Sequence, residues 1–143
     1  MYNSVLLCRY ILAKYSELGI SINITKLMKT LYLVYGWILS KYGYNIINEQ
    51  PEAWPSGPVF SVSRENVNID ETFHMYDKEF KELLQDTKLN LVIDKIISFT
   101  KNATASQMCF FCTQEKTAWH KTKSGNTIKD KDIIKEFSKY SNL

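Results

Sequence analysis

Cys109-Phe110-Phe111-Cys112 has the one spacing in this chain that a metal site would use. A structural zinc needs four ligands, usually completed by a second paired cluster. The remaining candidates, Cys8, His74 and His120, are scattered singly along the sequence. The two thiols sit in an apolar run and read as buried core groups. Burial raises a thiol's pKa, and a Cys–His pair needs a third group to orient it, so a catalytic cysteine is not expected either. Carboxylate pairs such as Asp70-Glu71 and Glu49 with Glu52 are of a kind any soluble surface offers. No nucleophile elbow, metalloprotease helix, phosphate loop or dinucleotide fingerprint occurs. The reading is therefore of a binding protein rather than an enzyme, with no cofactor and no metal. An unrecognised enzyme built around His120 and Glu115 is one rival.

With 143 residues, 45% of them apolar, the chain can bury a core without metal or disulfide support, and one domain spanning 1–143 is expected. Three cysteines, an odd number, argue against a secreted disulfide framework. Arg9 and Lys14 interrupt the apolar N-terminus, which lacks the order of a signal peptide, and no run is long enough to span a membrane. A cytoplasmic location is expected. The net charge of +3 comes wholly from residues 114–143, since residues 1–113 hold eleven basic and eleven acidic side chains. That tail contains Lys116, Lys121, Lys123, Lys129, Lys131, Lys135 and Lys139, which read as a solvated face. Only Arg9 and Arg64 are arginines, a poor set for reading bases or gripping phosphates, so a nucleic-acid-binding regulator is the other, weaker rival.

These side chains would be positioned by a mainly α-helical, compact domain. Residues 3–18 read as a first helix stopped by Gly19. A second and clearer one places Ile24, Leu27, Met28, Leu31, Tyr35, Ile38 and Tyr42 on one face, with Asn23 or Thr25 as N-cap and Gly43 as stop. Leu33, Val34 and Trp37 add apolar character to its other faces, which makes it the centre of the core. Asn45–Asn48 reads as a short extended piece. Pro51, Pro55, Gly57 and Pro58 then forbid a helix, yet Trp54, Val59 and Phe60 demand burial, so this is an ordered, packed Pro/Gly loop. One small β-hairpin fits somewhere in the domain. Further helices are expected at 61–66, from Asp77, around Leu89–Ile97 and at 105–112, where Ala105, Met108, Cys109 and Cys112 form one side. After a Ser124-Gly125-Asn126 turn, Thr127 and Asp130 read as a capping box for a last helix. Its inner side is Ile133, Ile134, Phe137 and Tyr140.

The second helix carries Leu27, Lys29, Leu31, Tyr32, Gly36, Trp37 and Leu39, then Gly43, and the loop carries Glu52-Ala53-Trp54 and Gly57-Pro58-Val59. This combination resembles the SocA-like, or Panacea, antitoxin domain, a family that includes phage-associated proteins. That family has a helix of the form L-x-K-x-L-Y-x-x-x-G-W/H-x-L, a glycine, then acidic-Ala-Trp and Gly-Pro-Val. A further family string, Thr-His…Pro-Trp, is matched here by Thr113 and Trp119, with Gln114 in place of the histidine and Ala118 in place of the proline. Gly125, Ile128 and Ile133 are similar to the family's ending.

What the resemblance implies is an antitoxin that neutralises a cognate protein toxin by direct binding, or an adaptor that delivers it to a protease or chaperone. Leu31, Tyr32, Gly36, Trp37, Gly43, Ala53, Val59, Thr113 and Trp119 would be its shared scaffold. Trp54, Pro55, Gly57, Pro58 and Arg64 would offer a face to the partner, with the prolines pre-ordering the loop. Trp54 also reads, and in preference, as a core residue packed on Trp119 and the second helix. Arg64 reads either as an ion pair with Glu52 or as a contact for a partner's acid. Gly36, costly inside a helix, points to a close approach by a neighbouring element. Nine tyrosines leave self-association open.

Overall fold

A computed structural model describes residues 1–140. Helix α1 (Ser4–Glu17) and helix α2 (Ile24–Tyr42) begin where asparagines cap them. Asn3 accepts from the amides of Val5 and Leu6, and Asn23 from that of Lys26. Gly43 ends α2 with φ +78, the left-handed conformation that glycine adopts without a Cβ penalty. A hairpin follows, β1 (Glu52–Trp54) against β2 (Gly57–Val59), antiparallel with Ala53 opposite Pro58. Then come α3 (Ser61–Asn66), a 3-10 turn (Lys78–Phe80) running into α4 (Lys81–Gln85), α5 (Thr87–Thr100), α6 (Ala105–Cys112) and α7 (Asp130–Phe137).

Helix α2 is the axis of the domain. It packs against α7, α5, α6, α1 and β2, and every residue from Lys26 to Leu39 except Leu33 is buried. The mainly helical architecture with one small hairpin agrees with the pattern expected from periodicity and turn residues.

The hairpin lies inside the expected Pro/Gly loop, and its outer edge is not left open. The Ala53 amide donates to Asn126 O at 2.9 Å, the Gly125 amide to Ala53 O at 2.7 Å and the Ile128 amide to Pro51 O at 2.8 Å. The 125–128 turn thus covers β1, and no ladder edge on that side is exposed. Asn45–Asn48 does form an extended contact, a single parallel bridge from Ile47 to Tyr2.

Two expectations at the chain's end are corrected. The capping box is not at Thr127–Asp130: α7 opens on Lys129 without a side-chain cap, because the Asp130 carboxylate accepts from Tyr35 Oη at 2.7 Å and Asn45 Nδ2 at 2.9 Å. The box sits instead at Thr104 and Gln107, each side chain bonded to the other's amide. On α7, Ile133 and Phe137 point inward, but Ile134 is exposed, one residue out of phase with the buried stripe. In α6 Cys112 is buried as expected, but Cys109 is only half-buried and Phe110 and Phe111 between them are exposed.

Candidate functional site

Because α2 is covered all round, its one buried mid-helix cation needs a partner. Lys29 is fully buried, and its ammonium donates to Pro58 O at 3.1 Å. Desolvation lowers its pKa. Gly57 lies directly over the stem with φ +121, and a Cβ there would fall 2.8 Å from Lys29 Cε and 3.4 Å from the Thr113 methyl. Three separated signature pieces, Lys29, Gly57-Pro58 and Thr113, therefore meet at one point, and only glycine fits both the backbone and the space. The sequence signal for this cluster is a lysine on a helix that is apolar on most sides. Lys29 belongs to the motif, yet nothing in the sequence marks it as buried.

Of the residues proposed for the loop's outer face, Gly57 and Pro58 are buried, Trp54 is half-buried, and Pro55 and Arg64 are exposed. Glu49 positions Arg64's helix by accepting from the amides of Val62 and Ser63 at 2.6 and 3.1 Å and from Ser63 Oγ at 2.7 Å. Arg64 does not pair with Glu52. Its guanidinium stands 5.4 Å from the centre of the Trp54 ring, a cation–π contact, while Glu52 accepts from Trp54 Nε1 and Ser61 Oγ. Trp119 reaches the same place through its indole N–H, which donates to Trp54 O at 2.7 Å rather than stacking on the Trp54 ring. Trp54 is thus both anchored and partly open.

Gly36 marks the closest approach in the core. A Cβ on it would fall 2.7 Å or less from three atoms of the Phe137 ring, which is itself wedged edge-on against Tyr32, Trp37 and Tyr140. Beneath that ring Tyr32 Oη is buried without a hydrogen-bond partner among the described residues. Next along α7, buried Glu136 accepts from the Ala118 amide at 2.8 Å and from Tyr140 Oη. Burial pushes the Glu136 pKa up. Ala118 stands where the resembling family has proline, and the N–H it retains is the one that Glu136 uses. Gln114, in place of the histidine, is exposed and donates to Phe110 O.

The groups able to do chemistry are dispersed. Cys8 and Cys112 are buried, and desolvation pushes each thiol up to about 12, which keeps them protonated and unreactive. His74, Glu115 and His120 are exposed, and among the described residues no three His, Cys, Asp or Glu side chains form a cluster suited to a metal ion. Lysines at 121, 123, 129, 131, 135 and 139 are likewise exposed. No described helix is long and apolar enough to cross a membrane.

Between α2, α5, α6 and α7 lies a half-open groove of about 400 Å³. Leu33 and Trp37 of α2 form part of its wall, with Ile96 and Phe99 of α5, Met108 and Phe111 of α6, and the face of α7 around Phe137. Of the signature residues only Trp37 reaches it. Phe99 is 74% exposed and Phe111 37%. Sequence periodicity put Met108 inside, but nothing in it marks Phe99 and Phe111 as open.

Residues 27–120 match a family model described as antitoxin SocA-like, Panacea domain. No curated protein and no solved structure matches the chain. The matched segment runs from the second turn of α2 through His120, and so takes in the Lys29–Gly57–Thr113 meeting point and the indole that ties Trp119 to the hairpin. With well over half its length matched and the motif residues joined in one core, the chain belongs to the SocA-like antitoxin family of the Panacea domain.

Proposed function

We propose that the chain is an antitoxin that neutralises a cognate protein toxin by binding it directly, in the cytoplasm and without catalysis. The family match carries this reading. The geometry supports it in two ways. The signature side chains are largely spent on packing, as Lys29, Gly36, Tyr32, Gly57 and Trp119 illustrate, which is what a scaffold requires. The exposed aromatic groups Phe99 and Phe111 lie outside the motif, where a partner-specific surface can vary without disturbing the core. The protonated thiols and the isolated histidines support binding over chemistry.

The test is co-expression with each neighbouring open reading frame, scored for growth and then for co-purification. A neighbour that is toxic alone, harmless with this chain and retained with it on a column is the expected result. Rescue without a complex, accompanied by loss of the toxin in a protease-dependent manner, would replace blocking by delivery. Rescue with neither complex nor toxin loss would overturn the binding reading.

A further inference from the structure

We infer that the groove between α2, α5, α6 and α7 is the docking surface, and that it takes an amphipathic helix of the partner whose apolar ridge is bordered by carboxylates. This rests on the binding reading above and names its surface. The groove is half-open, and its lip residue Phe99 is 74% exposed, far more than a closed core leaves a phenylalanine. Leu91, Lys95 and Phe99 follow at four-residue intervals along α5, so an exposed apolar stripe extends from the groove with a cation in its middle. A small apolar molecule would fill the floor and leave that stripe in water. A helix laid along it would cover both.

Charge selects the kind of helix. Among the described residues, the charged groups next in sequence to the lining residues are Lys95, Lys101 and Lys139, all exposed, and Glu136. Glu136 is turned inward and occupied by the Ala118 amide and the Tyr140 hydroxyl. The ammonium of Lys26 adds charge under one end of the groove, donating to the carbonyls of Thr100 and Ala103 at 3.0 and 2.7 Å. Among the described residues the charge beside the groove is therefore positive, from Lys95 on the stripe and Lys26 under one end, and no carboxylate lines it. It attracts an acidic flank, repels a basic one, and would repel its own image in a second copy of the chain. With Trp37 as its one signature residue, the groove can differ between family members while the scaffold stays the same.

The test uses the full chain in two arms. In cells and on a column with the toxic neighbour, Phe99→Asp and the double variant Lys95→Glu/Lys101→Glu are compared with Phe110→Asp, an exposed α6 position outside the groove. All four positions are at the surface, and thermal melting confirms that each variant folds. The expected result is a loss in affinity of about tenfold or more for Phe99→Asp. Charge reversal should slow association by about tenfold, and Phe110→Asp should change nothing. If the groove variants still rescue while Trp54→Ala with Arg64→Glu does not, the docking surface is the hairpin edge and this inference falls, with the antitoxin reading intact. The second arm measures binding of a synthetic helix carrying leucine at i, i+3, i+4 and i+7 bordered by glutamates, and of its lysine-bordered twin. Binding of the glutamate form alone, lost in Phe99→Asp, supports the groove even where no neighbour proves toxic. No binding, or equal binding of both, overturns it. A concentration-dependent dimer that Phe99→Asp dissolves also overturns it, because the occupant is then a second copy.

Discussion

Replacing Gly36 by alanine should destabilise this domain, although alanine is the better helix former. In an exposed helix the change gains about 0.5–1 kcal/mol. Here the added methyl carbon would fall 2.7 Å or less from three atoms of the Phe137 ring. The ring is 3% exposed and held edge-on by Tyr32 at 5.7 Å and Tyr140 at 5.2 Å between centroids, so its direction of retreat is toward the groove it lines. Overpacking of this kind costs about 1–3 kcal/mol, which leaves a net loss of about 0.5–2 kcal/mol after the propensity gain. Urea unfolding followed by tryptophan fluorescence measures it. The decisive comparison is made in a Phe137→Ala background. That substitution alone costs about 3–5 kcal/mol. Once the ring is gone, Gly36→Ala should become stabilising by about 0.5–1 kcal/mol. A Gly36→Ala chain as stable as the parent or more so, or the same sign in both backgrounds, would refute the close-approach argument.

Three further outcomes follow from buried polar groups. Glu136→Gln keeps acceptance from the Ala118 amide while removing a desolvated charge. It should leave stability at neutral pH unchanged or raised, whereas Glu136→Ala strands that amide and costs about 1–3 kcal/mol by urea unfolding. The sign is that of a carboxyl with a raised folded pKa: its stabilising share is present below its unfolded value of 4.5 and lost as pH rises through the folded one, so Gln removes a penalty. Lys26→Met withdraws the ammonium from the carbonyls of Thr100, Lys101 and Ala103 at the end of α5, and should speed amide exchange there and cost about 1–3 kcal/mol. Cys8 and Cys112, shifted from 9.0 to about 12, make stability fall as pH rises above 9, by about 1.4 kcal/mol per unit for each thiol. Cys112→Ala should flatten that slope in a pH series of denaturation midpoints.

Local signals carried much of this fold. Asn23 and Gly43 bracket α2 through side-chain acceptance and a left-handed cap, both decided within a few residues, so they were legible from the chain alone. The same holds for α3, and Gly36 inside a helix signalled a close approach without naming Phe137 as its partner. What was not legible depended on residues distant in sequence. Asp130 had the spacing of a capping acid, but Tyr35 and Asn45 claimed its carboxylate from across the core. Arg64 lay near Glu52 in the chain, but Trp54 offered the guanidinium a ring while Glu52 was already engaged by Trp54 Nε1 and Ser61 Oγ. The candidate groove was wholly invisible, because Leu33, Phe99 and Phe111 read as ordinary apolar positions and only the packing of four helices leaves a gap between them.

Direct binding, the central claim, makes a prediction about numbers of molecules. With the toxic neighbour purified and its activity followed in vitro, this chain is added in increasing amounts. Neutralisation should rise linearly and reach completion at a fixed molar equivalence, with the inhibited toxin eluting together with the chain in size-exclusion chromatography. Full neutralisation at a small fraction of that equivalence, with free toxin permanently altered, would mean that the chain turns over, and would contradict the account.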